Sequence, residues 1–134
     1  MNRLGFFSLT AALGSSWAFL LSSPAFASNH LLLYGGQDHN IFLGCFTCHE
    51  LNPDSISNEI GRYGSEVSPT SIFNKVGRYG SQVSNESVCN PRASYPPVVV
   101  DEAGDIYGYL TVNLSARDAI QIPQLQGLVM GICR

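Results

Sequence analysis

The sequence predicts a β-rich α+β fold, a small single domain in which short β-hairpins flank a tandem 16-residue helical-turn repeat. Two short apolar runs separated by a glycine-rich turn predict the first hairpin. A β-branched run, a turn and a second strand-like run predict the last one. Between them the chain resembles itself at a fixed spacing, which indicates one small unit used repeatedly.

Residues 1–27 have the pattern of a signal peptide. A short basic start precedes an apolar run, and Ala25-Phe26-Ala27 supplies the small-x-small cleavage pattern. The alternative is a membrane-spanning helix, but glycine and serine dilute the run and no basic cluster follows it. We therefore predict export to the periplasm or the cell exterior of a bacterium. The mature part, residues 28–134, would form a single small domain with no membrane span.

The mature part carries six basic and ten acidic residues without a basic cluster, which argues against nucleic acid or anionic lipid as partners. Its core must be thin, so cross-links would help it. An even number of cysteines in a small exported domain predicts disulfides, with the pairing left open. The four are Cys45, Cys48, Cys89 and Cys133. Cys89 occupies an apolar slot of the repeat, which would suit a buried cystine to the Cys45–Cys48 segment.

The hairpins are predicted at both ends of the mature part. The first pairs Leu31–Tyr34 with Ile41–Leu43. The second lies within residues 95–113 and pairs Val98–Asp101 with Ile106–Asn113, with Ile106, Gly108, Leu110 and Val112 on one face. The acidic residues at its turn lack the spacing of an EF-hand calcium loop, which favours a plain turn.

Residues 55–90 hold two full repeats and the start of a third, with Gly-Arg-Tyr-Gly-Ser in each full copy. Each copy predicts a helical turn, Ile56–Ile60 in the first, that ends at a glycine. Apolar residues four apart are predicted to share one face: Ile56 with Ile60, and Ile72 with Val76. After the second hairpin, residues 115–121 predict a short helix stopped by Pro123, and residues 125–132 a final strand or helix.

Equivalent side chains of a repeat lie along one surface, so the repeat predicts a binding surface. Its candidate contact residues are Arg62, Tyr63, Arg78 and Tyr79, because tyrosine and arginine contribute disproportionately at interfaces. No catalytic arrangement can be assembled from the order of the residues. The sequence thus favours a non-enzymatic domain that binds a protein or an envelope component.

The segment Cys45-Phe46-Thr47-Cys48-His49 has the C-x-x-C-H spacing of c-type haem attachment. The alternative function is therefore a haem electron-transfer protein with Cys45, Cys48 and His49 as the attachment site, and His30 or His39 as a possible sixth ligand. A thioredoxin-like redox pair would need a surrounding βαβ pattern, and the sequence around Cys45 and Cys48 does not have one. Zinc on Cys45, Cys48, His49 and Cys89 is disfavoured by an oxidising destination. A structural disulfide without metal or cofactor is the favoured interpretation.

The repeat, the Tyr-Pro-Pro-Val-Val-Val-Asp segment at 95–101 and the Tyr-Gly-Tyr-Leu-Thr-Val-Asn segment at 107–113 together resemble an uncharacterised family of small exported bacterial proteins with tandem N-x-x-G-x-Y-G-S repeats. The likeness covers roughly residues 31–113. It implies a secreted or envelope-associated domain and no particular activity.

Overall fold

The computed structural model describes residues 29–134, and the predicted signal peptide lies outside them. Its four strands are β1 (Leu31–Gly35), β2 (Ile41–Cys45), β3 (Val98–Asp101) and β4 (Ile106–Tyr109). They form one antiparallel sheet in the order β2-β1-β3-β4. Both predicted hairpins are confirmed, and the pairing of β1 with β3 joins them into one sheet.

A single core connects the sheet, the repeat segment and a C-terminal helix. Side chains without exposed surface come from all three parts: Leu33, Leu43, Ile72, Val88, Val99 and Val129. Burial of such aliphatic side chains contributes about 1.5–3 kcal/mol each. The repeat segment therefore belongs to the hydrophobic core of the sheet.

Strand β4 is shorter than predicted and does not alternate. It ends at Tyr109, whereas the prediction continued to Asn113. The register shifts between Val99 and Val100, and Gly108 has a φ of 131°. A bulge of this kind moves later side chains to the other face. Ile106 is consequently 72% exposed while Leu110 is buried, so the predicted common face is wrong.

The short helix predicted over residues 115–121 is wrong, whereas residues 125–132, predicted as a strand or a helix, belong to a helix. Residues 115–121 form turns, and Ala119 makes an isolated parallel β-bridge with Tyr109. The helix α1 is Pro123–Ile132, in which Leu125 and Val129 are buried. Proline suits the first turn because its missing N–H would have no helical partner there. Within residues 29–134, no helix is long and apolar enough to cross a membrane.

Asp101 organises the turn between β3 and β4. Its Oδ1 accepts hydrogen bonds from the backbone amides of Ala103 and Asp105, at 2.9 and 3.0 Å. Its Oδ2 accepts one from the Tyr107 hydroxyl at 3.0 Å. Burial works to raise the pKa of this carboxyl, but the hydrogen bonds from Asp105, Tyr107 and Ala103 outweigh it and leave the pKa below its ordinary value. The turn is thus held by its own carboxylate.

We expect Asp101→Asn to destabilise the protein at neutral pH, because the charged acceptor is lost. A lowered pKa stabilises the folded state above the pKa of the unfolded chain, and this contribution disappears as the pH falls through the folded value. The difference between wild type and variant in thermal unfolding midpoint should therefore shrink in acid. Asp105→Asn, which removes a neighbouring exposed carboxyl, serves as the control. An equal difference at both pH values would contradict the assignment.

Candidate functional site

Side-chain hydrogen bonds shape the repeat segment into successive turns. Within residues 55–93 there is no helix, so the predicted helical turns are wrong. The hydroxyls of Ser55, Ser71 and Ser87 each accept a hydrogen bond from the backbone amide two residues later, at 3.0, 3.1 and 3.0 Å. Serine bonds of this type offer the backbone an alternative to the helix.

Asparagines at equivalent positions of successive copies make a second recurring set of bonds. The Oδ1 atoms of Asn58, Asn74 and Asn90 accept the backbone N–H two residues later. The Nδ2 atoms of the same side chains donate to the carbonyl six residues earlier, at 3.3, 3.1 and 3.0 Å. Each asparagine therefore ties its own turn to the preceding one.

These turns bury only some of the apolar side chains of the repeat. Ile56 and Ile72 are buried, but Ile60 and Val76 are 94% and 92% exposed. The prediction that residues four apart share a face is wrong, since it required a helix. Three more aliphatic side chains, which follow one another at the period of the repeat, are largely exposed: Leu51, Val67 and Val83.

A row of depressions lies between the repeat turns and α1. One, of about 630 Å³, is lined by Gly64, Ser65, Val67 and Leu128, among others. Another, of about 430 Å³, is lined by Gly80, Ser81, Val83 and Ile132, among others. The glycine, serine and valine of the second occupy the same positions, one copy later, as those of the first. A third, of about 410 Å³, includes Phe73, Leu128 and Ile132 and thus shares lining residues with both. We call these three depressions together the repeat–helix groove.

The predicted contact residues are separated by the fold. Tyr79 is only 3% exposed and belongs to the core, so its ring is not available to a partner. Tyr63 is half-buried, with its ring edge-on to Phe42 at a centroid distance of 5.0 Å. Arg62 and Arg78 are exposed. The predicted surface is thereby reduced to the two arginines and part of Tyr63.

Arg78 lies beside the groove, in a depression that shares Val67 with it. Its Nε is 3.2 Å from Oε2 of Glu86. The side-chain hydrogen bond with Tyr79 contributes most to raising the pKa of the Arg78 guanidinium above its ordinary value, and the negative charge of Glu86 contributes next. The guanidinium therefore stays charged at physiological pH. Arg78 lines a depression of about 440 Å³ together with Ile41, Val67 and Pro69.

All four cysteines are paired. Cys89 joins Cys133, directly after α1, and Cys45 joins Cys48. The predicted disulfides are present, but the expected link from Cys89 to the Cys45–Cys48 segment is wrong. The reason is the fold: the buried Cys89 faces the end of α1 rather than β2.

His30 lies beside the Cys45–Cys48 disulfide. A ring nitrogen of His30 and the two sulfurs are within 4.8 Å of one another. His30 Nδ1 is also 3.0 Å from the hydroxyl of Thr47. Sequence reasoning named His30 only as a possible haem ligand, because nothing in the spacing shows that β1 and β2 bring it to the cysteines.

The other histidines have different surroundings. His49 is exposed, and its Nδ1 accepts a hydrogen bond from the Leu51 amide at 3.1 Å. His39 donates from Nε2 to the Pro96 carbonyl at 2.9 Å, which ties the first turn to the segment before β3. Of the zinc set considered from sequence, Cys89 is paired with Cys133, and the histidine that joins Cys45 and Cys48 in a cluster is His30 instead of His49. The haem alternative stays a prediction.

A comparison with protein-family models, curated proteins and solved structures finds no match for this chain.

Proposed function

We propose that this protein is a non-enzymatic exported binding domain whose repeat–helix groove takes a segment of another protein of the cell envelope. The observation that carries the proposal is the pair of depressions one repeat apart, each with an exposed valine at its rim. Exposed aliphatic side chains that line a groove, unlike ones scattered singly over a surface, are typical of a binding site.

The chemistry of the groove favours a protein segment as the partner. Its apolar contacts would come from Val67, Val83 and Phe73, and its charged groups are of both signs, Glu59 and Glu66 in one part and Lys75 in another. Half-buried Ser65 and neighbouring backbone supply hydrogen-bonding groups along it. Arg78, which lines a depression that shares Val67 with the groove, would extend the contact, and Arg62 and the exposed part of Tyr63 are further candidate contacts. Alternating apolar and polar groups of this kind match an extended peptide.

The test places a photo-activated benzophenone amino acid at Gln82, in the groove, in the protein exported by its native host. We expect one discrete cross-linked product that contains a different envelope protein. The variant Val67→Ser/Val83→Ser should reduce its yield about tenfold, because truncating a contributing interface residue costs more than about 1 kcal/mol. Both valines are exposed, so the fold should tolerate the change.

The matched control places the same benzophenone at Arg117, an exposed residue outside the groove. Cross-linking from Arg117 with equal yield, or a yield from Gln82 that the two serines leave unchanged, would contradict the proposal. A product made of two copies of this chain would replace it with self-association. Arg62→Ala/Arg78→Ala measures separately whether the arginines contribute.

A further inference from the structure

The Cys45–Cys48 disulfide and the neighbouring His30 form a second candidate site, separate from the proposed binding function, and we call it the Cys45–Cys48 corner. We propose that this disulfide is reversibly opened by a dithiol, and that the reduced pair together with His30 binds a thiolate-preferring cation such as Zn²⁺. Two thiolates and an imidazole are ligands that zinc prefers, and the three ligand atoms already lie within 4.8 Å of one another. A water molecule would complete a four-coordinate site.

The backbone that holds these ligands does not depend on the disulfide. The Cys45 amide donates to the Asp54 carbonyl at 2.7 Å, and the Cys45 carbonyl accepts from the Ile56 amide at 3.0 Å. The Ser55 hydroxyl donates to the Cys48 carbonyl at 3.1 Å. These bonds keep both cysteines in place when the sulfurs separate. The backbone around the site is thus held by hydrogen bonds as well as by the disulfide.

Thr47 fixes the third ligand. Its hydroxyl oxygen is 3.0 Å from His30 Nδ1 and also accepts a hydrogen bond from the Leu31 amide at 3.0 Å. A hydrogen bond to one ring nitrogen orients a ligating histidine and sets which nitrogen is free. Leu31 begins β1, so the sheet itself determines where the imidazole lies.

The disulfide is also suited to opening. Cys48 is half-buried while Cys45 is almost fully buried, so an external thiolate would attack the Cys48 sulfur. That attack forms a mixed disulfide and releases the Cys45 thiolate. The second thiol of the reagent then attacks the reagent's sulfur in the mixed disulfide. This step releases the Cys48 thiolate, and the reagent leaves as an internal disulfide. Two electrons and two protons pass from the dithiol to the protein, and zinc binding subsequently releases the thiol protons.

The experiment treats the exported protein with dithiothreitol under native conditions and maps the thiols by alkylation and mass spectrometry. We expect Cys45 and Cys48 to be alkylated while Cys89–Cys133 remains closed and the circular dichroism is unchanged. After the dithiothreitol is removed, titration with Zn²⁺ against a chromophoric chelator should show one equivalent bound. The oxidised protein and Cys45→Ser/Cys48→Ser should not bind at this site.

Two histidine variants decide the role of His30. His30→Gln should weaken zinc binding by the reduced protein at least about tenfold, because losing even a residue that only orients a ligand typically costs about that much. His49→Gln, next to Cys48 but outside the cluster, should leave it unchanged. Equal affinity of His30→Gln and wild type, no zinc uptake by the folded reduced protein, or opening of both disulfides together would overturn the proposal. The first two outcomes leave the groove untouched, whereas opening of Cys89–Cys133 would also disturb the groove, because both residues line it.

Discussion

Replacing both Cys89 and Cys133 by serine should lower the free energy of unfolding by about 4 kcal/mol. The two cysteines are 44 residues apart in sequence, and a cross-link removes more entropy from the unfolded chain as the closed loop becomes longer. A small domain is typically stable by only about 5–15 kcal/mol, so this is a large fraction of the total. Urea unfolding followed by circular dichroism measures the change.

The matched control is Cys45→Ser/Cys48→Ser. That disulfide spans a sequence separation of 3, for which the same entropy relation gives about 2 kcal/mol. The order of the two stability losses is a stricter test than either magnitude alone, because both variants remove one disulfide and add two hydroxyls. A larger loss for the short-range pair would show that the Cys45–Cys48 corner, rather than the anchor of α1, holds the fold together. It would also weaken the argument that this corner can open without unfolding.

Local sequence signals predicted the hairpins well. Short apolar runs on either side of a Gly-rich turn place β1 and β2 within two residues, and a β-branched run places β3. The pairing of β1 with β3 could not be predicted, because it joins segments that lie on either side of the whole repeat and share no local signal. The end of β4 was missed for a different reason. It depends on a bulge next to Gly108, which breaks the period of two.

The repeat was detected as a period but was assigned the wrong conformation. The spacing of Ile56 and Ile60 matches a helix, but serine and asparagine lie between and before them. Those side chains bond to nearby backbone groups instead, as at Ser55 and Asn58, and the chain turns where a helix would continue. The recurring Ser and Asn were therefore the usable signal.

The candidate sites depended on tertiary placement even more strongly. The choice of Tyr79 as a contact residue failed because its equivalent position in the sequence does not reveal burial against the sheet. The groove combines repeat turns with α1, and the whole second hairpin separates these two parts in the sequence. Likewise, His30 reaches Cys45 only through the pairing of β1 with β2. No local sequence pattern indicates any of these three tertiary contacts.

Gly80→Ala should destabilise the protein by about 3 kcal/mol. A Cβ at this position would overlap the backbone carbonyl oxygens of Asn74 and Ile72. Carbonyls held in a turn cannot rotate away like a side chain, so the backbone itself would have to move, and overpacking of this kind typically costs about 1–3 kcal/mol or more. Gly64 meets the equivalent carbonyls of Asn58 and Ile56, and Gly64→Ala should behave in the same way. Denaturant unfolding curves test both variants.

Gly127→Ala in α1 is the control for this substitution. No atom lies within 4 Å of a Cβ added there, and alanine favours a helix over glycine by about 1 kcal/mol. The same chemical change should thus stabilise the helix and destabilise the repeat turns. If Gly80→Ala were neutral, the close contact between each glycine and the turn six residues before it would not be a constraint of the repeat. Opposite signs at Gly80 and Gly127, with Gly64 matching Gly80, would tie the Gly-Arg-Tyr-Gly-Ser pattern to the asparagine-linked turns that form one wall of the groove.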